Sequence, residues 1–405
     1  MQQDYDLIIV GGGLAGNCLA LKLANTHLKI AIVEANTKEQ LQSSPAGDRA
    51  LALAAGSVMM LEELNAWQGI RHAATAIKHI HISDRGHFGK TRLSAEKENV
   101  DALGYVITAR ELESHISHLV DEAGIEVISP ARIVGLMSGD HQIHLTLKQG
   151  NESLNLSAQL LVGADGGYSS VRQLLDIPQQ SVDYGQTAIV TTINLSLPHN
   201  NTAFERFTSS GPLALLPLNK NQSAVVWTRT TEDAEALMLG NETDFLAELQ
   251  NCFGFKLGKF SLAAPKRAFP LSLIRAERML ADRAIIIGNA VHQLHPVAGQ
   301  GFNLGLRDVV SLAEKIIAQI DLNADIGDKA FLNTYANSRN KDHDRTIGFT
   351  DTVVKIFSNE WLTLALIRNI GLTLLDHIPN VKHILSRHAM GLADMNTTTL
   401  KNVDD

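Results

Sequence analysis

Cysteine occurs only twice in this chain of 405 residues, at Cys18 and Cys252. That scarcity excludes a disulfide scaffold and most cysteine-ligated metal sites, and it predicts a reducing compartment. No block of Lys or Arg interrupts a net charge of −8, so the basic face that nucleic-acid binding needs is missing. No stretch holds the roughly 20 uninterrupted apolar residues of a membrane span. G-x-S-x-G, H-E-x-x-H and Walker A patterns are absent too, which leaves hydrolase and NTPase readings without support. The first apolar run, LIIV at residues 7–10, is short and follows Asp4 and Asp6. It does not resemble a secretory leader, and the expected location is the cytoplasm.

What is present is an ordinary globular composition, 45% apolar and 19% charged. The length allows two domains or one elaborated domain with a sizeable core. DYDLIIVGGGLAGNCLALKLANTHLKIAIVEA, residues 4–35, predicts strand, tight turn, helix, strand. Its strands are short apolar runs of the kind buried on both faces, so the unit is βαβ in a parallel sheet. TARELESHISHLVDEAG, residues 108–124, predicts a helix with Thr108 as N-cap and Glu111 three residues on. Strands follow near 125–129, 142–148 and 154–166. From 182 to 275 apolar and polar residues alternate in β fashion, which predicts a mixed sheet in a separate layer. The tail from about 310 to 395 is helix-rich. Its most apolar part, residues 361–378, is interrupted by Arg368 and Asn369, so it packs rather than spans.

Three glycine-bearing motifs carry chemistry. Gly11-x-Gly13-x-x-Gly16 follows a strand and opens a helix. The first glycine allows the turn, the second lets a pyrophosphate approach the helix N-terminus, and the third permits close helix–strand packing. Glu34 ends the next strand, where a carboxylate can accept from both ribose hydroxyls. An acid there disfavours a 2′-phosphate, so the dinucleotide is NAD or FAD; the motif leaves that choice open. The second motif, around Asp165 and Gly166, taken alone fits a simple strand–helix turn. The third is GNAVHQLHPVAGQGFNLGLRDV, residues 288–309. A helix beginning near Gly301 would direct N–H groups at whatever precedes it, and Gly299 and Gly301 leave that end uncovered. Asn289 is placed to hydrogen-bond a polyol.

These three motifs, in this order and at these separations, resemble the para-hydroxybenzoate-hydroxylase-type (group A) flavoprotein monooxygenases over roughly residues 4–345. GDRALALAAGS at 47–57, SDRG at 83–86, FERF at 204–207, GPLALLPL at 211–218 and HPVAGQGFNLGLRDV at 295–309 are similar to the ubiquinone-biosynthesis hydroxylases within that family. The resemblance implies FAD, with Gly11, Gly13, Gly16 and Glu34 on its ADP half. It places Arg49 near the pyrophosphate, Arg110 as a polar contact and Asp165 in the middle motif. Gly288 and Asn289 match the C-terminal "GD" pair, and Gly299, Gln300, Gly301, Phe302 and Asn303 the loop under the flavin ring. Asn289 stands where the family has aspartate; it keeps an acceptor and loses the charge.

The implied fold is α/β: a Rossmann-like FAD-binding domain with an inserted mixed β-sheet substrate layer and a helical C-terminal region. The expected division is 1–75, 105–178 and 279–330 for FAD, 76–104 and 179–278 for the substrate layer, and 331–405 for the C-terminal helices. The implied reaction is hydroxylation of a polyprenylated methoxyphenol in ubiquinone biosynthesis. NADH or NADPH is the reductant and O2 the co-substrate, acting through a flavin C4a-hydroperoxide. Leu213, Leu215, Leu216, Pro217 and Trp227 are expected to roof the ring, with Pro296 over the flavin edge. The alternatives are a hydroxylase of another aromatic or a prenyl reductase of the same fold. A lipid substrate implies peripheral contact with a membrane or a biosynthetic assembly. Residues 361–378 serve either that contact or ordinary packing and a homo-oligomer interface. His79, His81, Asp84 and His87 lack a convergent ligand set, so no metal is expected. His292 and His295 flank the flavin loop, either as proton shuttles or as structural hydrogen-bonding residues.

Overall fold

The computed structural model describes residues 3–86, 89–219, 221–294, 299–357, 383, 386, 387 and 389–392. The strand Gln3–Val10 is central because both of its faces are apolar: Leu7, Ile8 and Ile9 are each 0% exposed. It pairs in parallel with Ile30–Val33 on one side and Glu152–Gly163 on the other. Glu126–Ile128 and Ala284–Ile286 extend the parallel order outward. Among the described residues this sheet has eight strands, the remainder being antiparallel additions. The long N-terminal βαβ unit is therefore the nucleus that the apolar runs predicted.

Helices Leu14–Leu23, Ala109–Glu122 and Gln300–Asp321 cover one face of that sheet. Ala109–Glu122 begins where a capping box forms: Glu111 donates its N–H to the Thr108 hydroxyl, and its carboxylate accepts from the Thr108 N–H. Leu112, Ile116 and Val120 then recur every four residues and are buried, so one stripe of the helix joins the core. Each such side chain contributes about 1.5–3 kcal/mol of burial.

A second sheet, of nine strands among the described residues, is built from residues 179–293 together with His79–Asp84 and Lys90–Ser94. Between the two large sheets lies a small one, Ala50–Ala54, Gly104–Thr108 and Thr75–Ile77. Its register places Ile77 and Val106 against Ala203 and Leu216 of the nine-stranded sheet. No helix among the described residues is long and apolar enough to cross a membrane. Residues 361–378 lie outside the described residues.

The register corrects part of the expected substrate roof. Leu213, Leu215 and Trp227 are each 0% exposed and point away from the small sheet. They pack with Phe245, Leu249 and Phe253, beneath the helices Thr231–Leu239 and Glu242–Phe253. Pro217, two residues beyond Leu215, shares that outer side. Leu216 alone of the expected group faces the small sheet. Alternation in sequence says which residues share a face; which face the helices cover is decided by the tertiary fold.

A Trp227→Ala substitution is accordingly expected to cost about 3–5 kcal/mol of stability through core loss. Denaturant unfolding measures it. Flavin affinity of the folded protein should stay at the wild-type value, and a loss of affinity without a loss of stability would return Trp227 to the site.

Candidate functional site

Strand Gln3–Val10 runs into Gly11, whose φ of +109° favours glycine. A Cβ at Gly16 would lie 2.0 Å from the Gly11 carbonyl oxygen, so the helix and the turn pack backbone to backbone. Gly13 differs: it caps helix Leu14–Leu23 with no side-chain hydrogen bond, and a Cβ there would meet nothing within 4 Å. The protein itself gives no reason for glycine at that point, whereas a group lying against the helix N-terminus does. Glu34 is nearly buried beside it. One carboxylate oxygen accepts from the Gly12 N–H at 2.8 Å, the other from the Asn36 backbone and side chain at 2.8 and 2.9 Å. The acid is thus held across the glycine turn.

The middle motif brings Asp165 to the same end of the sheet. Its Oδ2 accepts from the Val171 N–H at 3.1 Å. Its Oδ1 is buried and has no partner. An unsatisfied buried acceptor costs about 1–3 kcal/mol, and a donor on a bound ligand would remove that cost. Arg172, buried behind it, donates to Gly167 O at 2.7 Å and Ala290 O at 2.8 Å. It ties the middle motif to the third, a link that no spacing in the sequence announces.

The third motif starts at Gly288, φ +58°. A Cβ on Gly288 would sit 3.5 Å from the Ala15 Cβ, and one on Gly305 would sit 3.4 Å from the Gly288 Cα. Stretches nearly three hundred residues apart therefore meet, with the two helix N-termini on either side of Gly288. Asn289 is exposed at the turn. Gly299 (φ +62°) caps helix Gln300–Asp321 without a side-chain bond, and space above Gly301 is open to 4 Å. Gln300 is nearly buried, and Phe302 packs partly into the main core. Asn303 takes a structural role with its side chain. It accepts from Ala54 N–H at 3.0 Å and Ser57 Oγ at 2.7 Å, and donates to Ala52 O at 3.0 Å and Gly299 O at 2.7 Å. That clamp fixes the loop against the small sheet. Pro296 and His295 lie outside the described residues.

Arg110 donates to Ser44 O at 3.0 Å and to Asp48 at 2.6 Å, and Arg267 of the nine-stranded sheet reaches the same Asp48 at 3.0 Å. The hydrogen bond from Arg110, ahead of the opposing effect of partial burial, holds the Asp48 carboxyl below its ordinary range; Arg267 adds to it. Arg49 is exposed and donates to Ala46 O. Arg49 follows the short turn Pro45–Asp48, and Arg110, in the first turn of helix Ala109–Glu122, packs against Gly47 of that turn.

The residues that sequence reasoning missed lie beneath Gly288. Asp308 is fully buried. Its Oδ2 accepts from the Gly288 N–H at 3.2 Å and faces His292 Nε2 at 3.3 Å. Its Oδ1 accepts from Arg339 Nε at 2.8 Å and meets His343 Nε2 at 2.7 Å. Burial alone would raise the Asp308 carboxyl, but the charge of His343 and the hydrogen bonds of His292 and His343 hold it well below the usual carboxylate range. Burial lowers His292, only partly offset by its hydrogen bond to Asp308. His292, Asp308 and His343 have the donor atoms of a metal site. The Arg339 guanidinium already occupies that carboxylate, so the group is a neutralised buried anion. Tyr335, Arg339 and His343 fall at intervals of four on one helix, the one signal that could have found them.

Two outcomes test this site. Gly301→Ala should stabilise the flavin-free protein by up to about 1 kcal/mol, because alanine is the better helix former and finds open space. It should at the same time weaken FAD binding in a fluorescence titration. Asp308→Asn should lower Tm, because it removes the buried carboxylate that Arg339, His343 and the Gly288 N–H share and leaves Arg339 with Asp342 alone. The wild-type contribution of Asp308 is present above the unfolded carboxyl value and is lost as pH falls through the depressed folded value.

The donor set fits a flavin dinucleotide: two uncapped helix N-termini, an acid across the glycine turn, a buried acceptor without a partner and glycines with open space above them. A family model described as "FAD binding domain" matches residues 4–350. Ubiquinone hydroxylase UbiL of Rhodospirillum rubrum is 33% identical over 392 residues, 95% of this chain and 89% of its own. Ubiquinone biosynthesis monooxygenase COQ6, mitochondrial, of Homo sapiens is 29% identical over 420 residues, 91% of this chain and 88% of its own. The fold matches that of p-nitrophenol 4-monooxygenase PnpA from Pseudomonas putida with a TM-score of 0.81 at 17% identity, covering 98% and 100% of the two chains. With the motif glycines and the site geometry in agreement, the chain belongs to the FAD-binding-domain family of flavin monooxygenases, and FAD is its cofactor.

Proposed function

We propose that this monooxygenase hydroxylates a polyprenylated methoxyphenol on the route to ubiquinone. The observation that carries the reading is the wall facing the flavin-loop strand. Paired residues share a face, so Val190, Val226, Ala214, Glu205 and Ile82 form one row of the nine-stranded sheet, apolar except for Glu205 and for Arg267 at its end. Ala203 and Leu216 lie in the adjacent row and pack onto Ile77, Val106 and Ala50. Ala50 begins the strand that Asn303 clamps at Ala52 and Ala54. An apolar aromatic ring with a hydrocarbon tail suits such a wall, and a dry wall favours oxygen insertion over release of peroxide.

Bound FAD supplies the redox chemistry, taking hydride from NADH or NADPH and activating O2. The chain supplies binding, orientation and exclusion of water. The two helix N-termini favour the negative charge of the cofactor. Asp48, shared by Arg110 and Arg267, ties the cofactor loop to the substrate sheet. In this reading residues 1–75, 105–178 and 279–330 hold FAD, 76–104 and 179–278 form the substrate layer, and 331–405 are the C-terminal helices. The prenyl tail reaches the site by peripheral contact with the cytoplasmic face of a membrane. The names of the ubiquinone hydroxylase relatives support this substrate class.

The test is anaerobic reduction of the holoenzyme with NADH or NADPH, followed by O2 and a 2-prenyl-6-methoxyphenol. A product one oxygen heavier by mass spectrometry is expected. Peroxide alone would defeat the hydroxylase reading and favour a prenyl reductase of the same fold. Oxygenation of a different aromatic only would change the substrate class.

A further inference from the structure

A phenol gives up electron density to an electrophilic oxygen more readily as its anion, and its ordinary pKa is about 10. A group at the substrate wall that can hold the proton would therefore matter. Glu205 occupies such a place. It pairs with Ala214 on one side and Ile82 on the other, so it stands in the inward row that ends at Arg267. Ala203, two residues earlier and about 7 Å along the strand, shares its face and packs on the small sheet. That sheet carries the strand clamped by Asn303 under the flavin loop. We infer that Glu205 is the catalytic base of the aromatic hydroxylation, accepting the phenolic proton; this rests on the substrate reading above.

A carboxylate on this apolar wall has no structural task. Among the described residues no hydrogen bond or ion pair reaches it. Burial pushes its carboxyl up to about 7, yet solvent still reaches part of its surface. Glu205 is thus half-buried on the face that the small sheet packs against, and is not sealed in the core. The value also suits a general base, which works best with a pKa near the operating pH.

Other charged groups do not account for the shift. Asp84 shares the inward face of the neighbouring strand, opposite Phe207, and has its own partner. Arg267 is engaged with Asp48 at the far end of the row. The strand Gly211–Leu218 brings only Pro212, Ala214, Leu216 and Leu218 to this side. Tyr105 of the small sheet turns away onto Trp67. The helix Lys329–Phe357, which touches that strand, carries Asp344 paired with Arg275, and Arg345 and Asp351 with partners of their own. Desolvation is the sole cause at Glu205.

The proton balance is simple. The phenolic O–H bond breaks, its proton moves to the carboxylate, and its electron pair stays on oxygen and flows into the ring. One oxygen atom of O2 then enters the ring as a hydroxyl in place of a ring hydrogen, and as aromaticity returns the ring proton leaves with the second oxygen atom as water. Glu205 hands its proton back to the phenolic oxygen. Oxidant and reductant are the O2 and NAD(P)H of the monooxygenase reaction, and Glu205 neither gains nor loses electrons.

The test compares wild type, Glu205→Gln and Glu205→Asp as holoenzymes. First, 2-prenyl-6-methoxyphenol is titrated into each oxidised holoenzyme under nitrogen, across neutral pH, following the flavin absorbance. Wild-type affinity should rise several-fold as pH climbs through about 7, because the carboxylate is the stronger acceptor; Glu205→Gln should be flat. Second, turnover of Glu205→Gln should fall about 10²–10⁴-fold, with NAD(P)H oxidation continuing into peroxide, and Glu205→Asp should recover part of it. FAD content and Tm should stay at wild-type values or rise, since no bond is lost. A Glu205→Gln enzyme with the wild-type pH profile and product yield overturns the assignment. If wild type itself makes no hydroxylated product, the substrate reading fails instead.

Discussion

Two helices, Leu14–Leu23 and Gln300–Asp321, start without a side-chain cap and are packed so that their N-termini flank Gly288. Like ends of helix dipoles repel, and neighbouring uncapped termini present N–H groups that need an acceptor. The arrangement is made tolerable by anions. Asp308, about two turns inside the second helix, supplies a resident negative charge and accepts directly from the Gly288 N–H. The dinucleotide supplies the rest. Gly11 and Gly16 allow contacts at backbone distance, and a side chain at either would force the strand, the turn and the first helix apart.

The same junction is tied to the nine-stranded sheet through a short chain of contacts. Asn303 clamps the flavin loop to Ala50–Ala54, and that strand belongs to the small sheet lying between the two large ones. Asp48 joins Arg110 to Arg267 and so couples the cofactor loop to the end of the nine-stranded sheet. Binding at the nucleotide end and order at the ring end share one set of contacts. Glu205, on the inward face, pairs with the apolar Ala214 and Ile82, and burial raises its carboxyl to about 7.

The sequence determined a good deal by itself. A buried parallel strand needs apolar residues on both faces, and LIIV, IAIV and AIII say so without a structure. The glycine fingerprint and Glu34 fall at spacings that only a βαβ nucleotide grip requires, and Thr108 with Glu111 marked a helix start to the residue. These are local constraints, and local constraints are written in neighbouring residues. The alternation from 182 to 275 likewise marked a sheet.

The tertiary fold decided what depends on which side of an element is covered. Leu215 and Trp227 are as apolar as Leu216, yet helices Thr231–Leu239 and Glu242–Phe253 bury the first two and leave the third to the small sheet. Asp308 is one acid among many in the chain until Gly288, His292, Arg339 and His343 converge on it from separate elements. Glu205 is an ordinary strand residue until its partner strands take most of its water away and, among the described residues, leave it without an ion pair. Burial and charge pairing are sums over the whole surroundings, so no short stretch of chain can state them.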